Sequence, residues 1–239
     1  MDWPDPRVPI FFRLFESMFP RLRVLDISAL FLPSRTQRFP PTLEKIRLHR
    51  VGSGSEGVVL HQDPTSKFPK LRSLILSENR WVTIHSLRRL LEDSGAPLQV
   101  LHVDNCEKLV GNWIPSLLKG VGNFDQLVDL NVSYVPGIDD SVVSSLVDGM
   151  QNLKVLDLSG TRITGCMIKR LADLRQQDNG DNNKQPKIEW LGVKDCQDVS
   201  PDAVAYGRQK GMEVVSRSSL DNTGIWKKTQ RAAFSDAYL

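Results

Sequence analysis

The sequence predicts an α/β solenoid: a right-handed coil of about seven strand–helix repeats, with a parallel sheet along its concave face. Three observations carry this. A phrase of the form apolar-x-x-apolar-x-apolar recurs, beginning at Leu22, Leu43, Leu71, Leu98, Leu127, Leu153 and Ile188. Successive starts are 21, 28, 27, 29, 26 and 35 residues apart. Between most phrases lies a stretch with the i, i+3, i+4 spacing of a one-sided helix. Self-similarity of this kind marks an array in which each repeat buries its apolar face only against its neighbours.

Each phrase alternates as a strand does, so its three apolar residues face one side. Helical patterns follow over 85–93, 113–121, 140–148, 165–175 and 202–210. Val142, Val143, Leu146 and Val147 form one apolar stripe, and Met167, Ile168 and Leu171 form another. Thr164 and Ser200 stand where N-caps are needed, and Pro201 suits a first helical turn. The connection over 31–41 is too short and proline-rich for a helix, and 51–67 reads as a glycine-rich loop. A polar insertion over 176–185 lengthens the sixth repeat and is expected to be exposed. Met212-Glu213-Val214-Val215 reads as a final edge strand.

The boundaries are accordingly 1–18 for the helix of an incomplete preceding repeat, 19–217 for the repeat domain and 218–239 for a C-terminal cap or disordered tail. Ile10, Phe11, Phe12, Leu14 and Phe15 supply that first helix. No polar cap precedes it, so the chain is read as beginning inside an array.

The position eight residues after each phrase start holds Asn79, Cys106, Thr161 and Cys196 in four repeats. A small polar side chain there can turn inward and bond the loop backbone, which would otherwise be orphaned. Leu30, Val51 and Val135 occupy it in the others. No Cys-x-x-Cys or Cys/His spacing suits a metal.

Composition removes several function classes. A net charge of +3, with basic residues scattered along the chain, gives no stripe for nucleic acid. No apolar run reaches the roughly 18 residues that span a bilayer, and the N-terminus lacks signal-peptide features. Three cysteines at wide spacing make no disulfide framework and point to a reducing compartment, cytosol or nucleus. Asn131-Val132-Ser133 matches a glycosylation sequon, but inside a strand it reads as a chance match.

The sharpest catalytic decoy is Gly52-Ser53-Gly54-Ser55-Glu56-Gly57-Val58-Val59. It matches the glycine-rich loop of protein kinases, yet no H-R-D or D-F-G accompanies it. His49 and His102 project from the same sheet face but lie two strands apart, about 10 Å, too far for a dyad. No catalytic residue, metal or cofactor is assigned, and the chain is expected to be a non-enzymatic monomer.

What remains is the set of variable residues, the third, fifth and seventh of each phrase, which strand alternation turns to the concave solvent side. Lys45, Arg47 and His49 make a basic second strand. Asp104, Asp129 and Asp157 make an acidic middle, with His102 and Asn131 among them, and Trp190 and Lys194 close the row. An ordinary solvated sheet face is one reading. The functional one is a docking groove for a protein, with Trp190 as aromatic anchor and the acids selecting a basic segment.

The repeat unit carries a resemblance. The stretch from Val132 through Ile138-Asp139-Asp140 to Leu146 resembles the second half of cysteine-containing leucine-rich repeats. Val193 to Cys196, Val199-Ser200, Val204, and then Arg208 to Gly211 and Val214, are similar to the closing repeat of fungal F-box/LRR-like proteins. The resemblance covers roughly residues 19–216. It implies substrate recognition for an SCF-type cullin–RING ubiquitin ligase, with the repeats holding the substrate. No F-box helical segment precedes the repeats in this sequence, so contact with the ligase adaptor is expected only if an upstream F-box exists. The alternative, from another class, is a leucine-rich repeat protein that activates a small GTPase.

Overall fold

The computed structural model describes residues 15–32, 39–53, 68–94, 97–110, 124–176 and 186–216. A short helix α1 (Phe15–Met18) opens the described chain. Strands β1 (Val24–Ser28), β2 (Phe31–Leu32), β3 (Lys45–His49), β4 (Gly52–Ser53) and β5 (Ser73–Ile75) follow. The remaining described elements are α2 (Ile84–Ser94), β6 (Val100–His102), β7 (Asp129–Asn131), α3 (Asp140–Gly149), β8 (Val155–Asp157), α4 (Gly165–Gln176), β9 (Trp190–Gly192), α5 (Pro201–Gln209) and β10 (Glu213–Val215). Eight strands form one open parallel sheet in chain order, β1-β3-β5-β6-β7-β8-β9-β10. This is the α/β solenoid that the sevenfold phrase predicts.

The phrase sets the register. Leu25, Ile46, Leu74, Leu101, Leu130, Leu156, Leu191 and Val214 stand side by side across the sheet. Every ladder apolar from Leu43 to Val193 is buried, whereas Leu22 and Ile27 of the first repeat are only half-buried. The same core takes in Val142, Val143, Leu146 and Val147 of α3 and Met167, Ile168, Leu171 and Ala172 of α4. The helices therefore cover one sheet face, and the variable residues of each phrase lie on the other.

Helix starts are built as the sequence suggests. Thr164 Oγ1 accepts from Cys166 N at 3.2 Å, and Ser200 Oγ accepts from Ala203 N at 3.3 Å beside Pro201. Asp139, which the sequence reading passed over, caps α3 by accepting from Ser141 N and Val142 N. Those bonds hold its carboxyl below the usual range, the Ser141 hydroxyl contributing most. Asp140 bonds Thr164 of the next repeat through both oxygens, at 2.8 and 2.6 Å, tying one helix start to the following one.

One correction concerns the early connections. Phe31–Leu32 and Gly52–Ser53 pair as a separate two-stranded parallel ribbon, so the 51–67 connection, read as a loop, begins with strand, as does the 31–41 connection, read as too short for a helix. Gly52 N donates to Leu30 O at 2.9 Å, which extends the inter-repeat ladder just past the turn. The rest of the Gly52–Val59 motif, the helix expected over 113–121, nearly all of the 176–185 insertion, and 218–239 lie outside the described residues. Among the described residues no helix is long and apolar enough to cross a membrane.

The eighth-step residues do turn inward; the bonds of Asn79, Cys106 and Cys196 run to the repeat before, and that of Thr161 stays within its own repeat. Asn79 Nδ2 donates to Leu48 O at 2.7 Å while its Oδ1 accepts from Val51 N at 2.7 Å. Cys106 Sγ donates to Leu76 O at 3.1 Å, and Cys196 Sγ to Leu158 O at 3.2 Å. Thr161 Oγ1 also donates to Leu158 O, at 2.5 Å. Val51 and Val135 fill the site with apolar bulk.

The residue just before each of these positions adopts a left-handed backbone. Ala29, Arg50, Glu78, Asn105, Tyr134, Gly160 and Asp195 have φ between 51° and 66°. Such a conformation costs a non-glycine residue about 1–2 kcal/mol. The return is regular: from Ala29 to Gly160, each N–H donates to the strand-end carbonyl of the next repeat, at 2.6–3.2 Å. The turn is thus the seam that fastens neighbouring repeats beyond the short strands.

Tyr134 adds a longer tie along this row. Its ring lies over Gly160, where any Cβ would penetrate it, and its hydroxyl donates to the Asp195 carboxylate two repeats on. That hydrogen bond pushes the phenol up to about 12, with burial and the Asp195 charge adding to it. The folded value lies above the ordinary phenol value of about 10, so this contribution to stability is complete below pH 10 and lost as pH rises through about 12. In an absorbance titration at 295 nm, Asp195→Asn is expected to bring the Tyr134 ionisation back toward pH 10. Tyr134→Phe identifies the signal.

Candidate partner-binding face

The sheet face opposite the helices is organised in rows set by register. In the third-position row Val100, Asp129, Val155 and Trp190 are successive neighbours. In the fifth-position row Ile75, His102, Asn131, Asp157 and Gly192 follow one another. Asp104, Ser133, Ser159 and Lys194 stand two residues beyond this row. The sequence-assigned residues His102, Asp104, Asp129, Asn131, Asp157, Trp190 and Lys194 therefore do share one face.

Their exposure corrects the expected picture of a solvated acidic row. Asp129, Asn131 and Asp157 are only 5, 5 and 8 % exposed. Adjacent strands lie about 4.8 Å apart, so a short polar side chain is shaded by larger neighbours on both sides. The polar groups also bond one another. Asn131 Oδ1 accepts from Ser133 N and Oγ at 3.0 and 2.7 Å. Asp157 Oδ1 accepts from Ser159 N and Oγ at 3.1 and 2.7 Å. Each closes an Asx-type turn at its strand end. Asp104 Oδ1 accepts from Ser77 Oγ at 2.8 Å, and Ser159 Oγ accepts from Lys194 N at 3.1 Å. Asp104, Asn131 and Asp157 thus serve the fold before they serve any partner, and the same bonding explains why the sequon at Asn131 sits on a buried amide.

Asp129 is different. Its Oδ2 lies 3.1 Å from His102 Nε2, with the two side chains 7 and 13 % exposed. The approach is not aligned as a hydrogen bond, and both His102 Nε2 and Asp129 Oδ1 are buried without a hydrogen-bond partner. The two groups touch without forming a hydrogen bond. Flanking it, Val100 and Val155 present apolar walls.

Trp190 is half-buried, with its ring folded along its own strand. A Cβ at Gly192 would come within 2.8 Å of the Trp190 ring and of Asp157 Cγ, so glycine there permits the ring to lie flat on the face. At the opposite end, Arg47 pairs with Asp26 at 3.4 Å across the first two main-sheet strands, which ties up one charge of the basic second strand. Both partners are about half exposed, and such pairs contribute little to stability.

Nothing in this arrangement activates a nucleophile. Burial pushes the Cys106 thiol up to about 12 and raises that of Cys196, which disfavours the reactive thiolate in both. Cys166 is exposed on α4. A thiol reagent under native conditions is expected to label Cys166, and to reach Cys106 and Cys196 only after unfolding; mass spectrometry of the labelled chain reads this directly. Among the described residues no group of His, Cys, Asp and Glu is arranged to hold a metal ion.

The Leucine Rich Repeat family profile matches residues 152–174, which span the sixth phrase and most of α4. A search of curated proteins returned no match to the chain. The matched segment and the parallel sheet in sevenfold register make the chain an α/β leucine-rich repeat solenoid, a type of repeat that serves protein–protein interaction.

Proposed function

We propose that the chain is a non-enzymatic docking array that holds a protein on the helix-free sheet face, and that it is the substrate-recognition part of an F-box-type receptor for a cullin–RING ubiquitin ligase. The observation that carries the docking role is the unbroken register of eight strands, which aligns polar and apolar side chains into continuous rows on one face. The resemblance of its closing repeat, with Cys196, Ser200 and Val214, supports the receptor reading. Contact with the ligase adaptor then depends on an F-box joined to the repeats, and the reducing compartment suggested by the cysteines is cytosol or nucleus.

The test is affinity purification of the tagged chain from cells, with Trp190→Ala beside the wild type. Ubiquitin-ligase subunits, together with a protein lost on Trp190→Ala, are the expected result. Recovery of a small GTPase in their place would overturn the receptor reading in favour of a GTPase regulator. A protein set unchanged by Trp190→Ala would remove that face from the docking role.

A further inference from the structure

We infer that the rim just past the carboxyl ends of β3, β5 and β6 holds a binding site for a peptide segment with an acidic and a basic side chain close together. The site is an open cavity of about 470 Å³. Its lining is regular. Arg50 and Gly52, Glu78 and Arg80, and Asn105 and Glu107 stand on either side of the inward-facing Val51, Asn79 and Cys106 of three successive repeats. None of these six belongs to the concave rows, so the inference stands apart from the docking role proposed above.

The walls are fixed from beneath. Val51 N donates to Asn79 Oδ1 at 2.7 Å, and Val51 O accepts from Trp81 Nε1 at 3.0 Å, which holds the turn of Arg50 and Gly52. Cys106 Sγ donates to Leu76 O at 3.1 Å and holds the turn that carries Asn105 and Glu107. The same row continues with Tyr134, whose ring lies over Gly160. A tyrosine therefore covers the later turns, while the earlier ones stay open.

The charges define the occupant. Arg50 Nε donates to Glu78 Oε2 at 2.6 Å, so these two neutralise each other. One guanidinium, Arg80, and one carboxylate, Glu107, are left exposed on adjacent repeats, paired neither with each other nor with another described side chain. A polyanion such as a nucleotide would meet Glu78 and Glu107, and a polycation would meet Arg50 and Arg80. A ligand with one charge of each sign complements both free groups at once. Small molecules favour mostly apolar pockets, and Val51 is the only apolar side chain among the described lining residues. The occupant is therefore part of a longer chain that supplies further contacts outside the cavity.

Nuclear magnetic resonance titration of the isotope-labelled full chain with the capped peptide acetyl-Gly-Glu-Lys-Gly-amide tests this. Saturable shifts in the millimolar range are expected at the amides of Gly52, Arg80, Asn105 and Glu107. Affinity should fall at least about threefold when glutamine replaces either charged residue of the peptide, and equally with Arg80→Gln or Glu107→Gln. Sodium chloride at about 1 M, which shortens the screening length to about 3 Å, should abolish binding. Trp190→Ala is expected to leave the titration unchanged, so the cavity and the concave face are judged separately. Equal shifts from acetyl-Gly-Gln-Gln-Gly-amide, no shifts at those four amides, or binding indifferent to both Arg80→Gln and Glu107→Gln would overturn the site. Loss of the shifts on Trp190→Ala would overturn it too, by placing the peptide on the concave face.

Discussion

Leu156→Asp is expected to abolish the cooperative thermal transition of the chain. Leu156 is fully buried, and the register places it between Leu130 and Leu191 on the adjacent strands. Truncating such a leucine costs about 2.7–5 kcal/mol through lost burial and the cavity left behind. An aspartate adds the desolvation of an unpaired carboxylate, so the total reaches or exceeds about 5 kcal/mol, the low end of a domain's whole stability. Because each repeat rests on its neighbours, the damage spreads along the array. Circular dichroism on heating reads the outcome, with Val24→Asp as control, since Val24 on the edge strand β1 is already 44 % exposed. A melt for Leu156→Asp that matches the wild type would show that the ladder register is wrong.

The second large effect is expected at Asn79, whose side chain satisfies two backbone groups of the preceding repeat, Leu48 O and Val51 N. Asn79→Ala leaves a buried acceptor and a buried donor unpaired at about 1–3 kcal/mol each, so a loss of about 2–6 kcal/mol is expected from chemical denaturation. Asn79→Cys should fall between, because a thiol can still donate to Leu48 O, as Cys106 does to Leu76 O. It cannot replace the acceptor for Val51 N. Hydrogen exchange at the Val51 amide should speed in both variants, so the difference in stability between them reports the Leu48 O contact that only the alanine variant loses. Equal stability for Asn79→Ala and the wild type would mean that water or a rearranged loop replaces both bonds.

The fold was legible in the sequence because a strand's period of two and a helix's period of 3.6 are written directly into where the apolar residues fall. Helix α3 is expected over 140–148 and observed at Asp140–Gly149, and α4 is expected over 165–175 and observed at Gly165–Gln176. Inward bonding of Asn79, Cys106 and Cys196 was legible too, since small polar residues recurring at one step of a repeat have a backbone to satisfy.

The left-handed turn row was not legible. Only Asn105, Gly160 and Asp195 belong to types that favour that conformation, while Ala29, Arg50, Glu78 and Tyr134 share no local signal with them. They adopt it because the N–H at that step must reach the next repeat's carbonyl, a requirement that exists only once repeats are stacked. The docking face was half legible. Alternation put Asp104, Asp129 and Asp157 on one side, but it says nothing about depth, and the hydroxyl donors of Ser77 and Ser159 are visible only in three dimensions.

By itself, the sequence determined the repeat, the ladder, the register and the face on which variable residues stand, because each follows from periodicity along one chain. The tertiary structure alone decided which of those residues are already committed. Parallel strands bring side chains from different repeats within hydrogen-bond reach, and that lateral pairing occupies Asp104, Asn131 and Asp157 while leaving Asp129 Oδ1 without a donor.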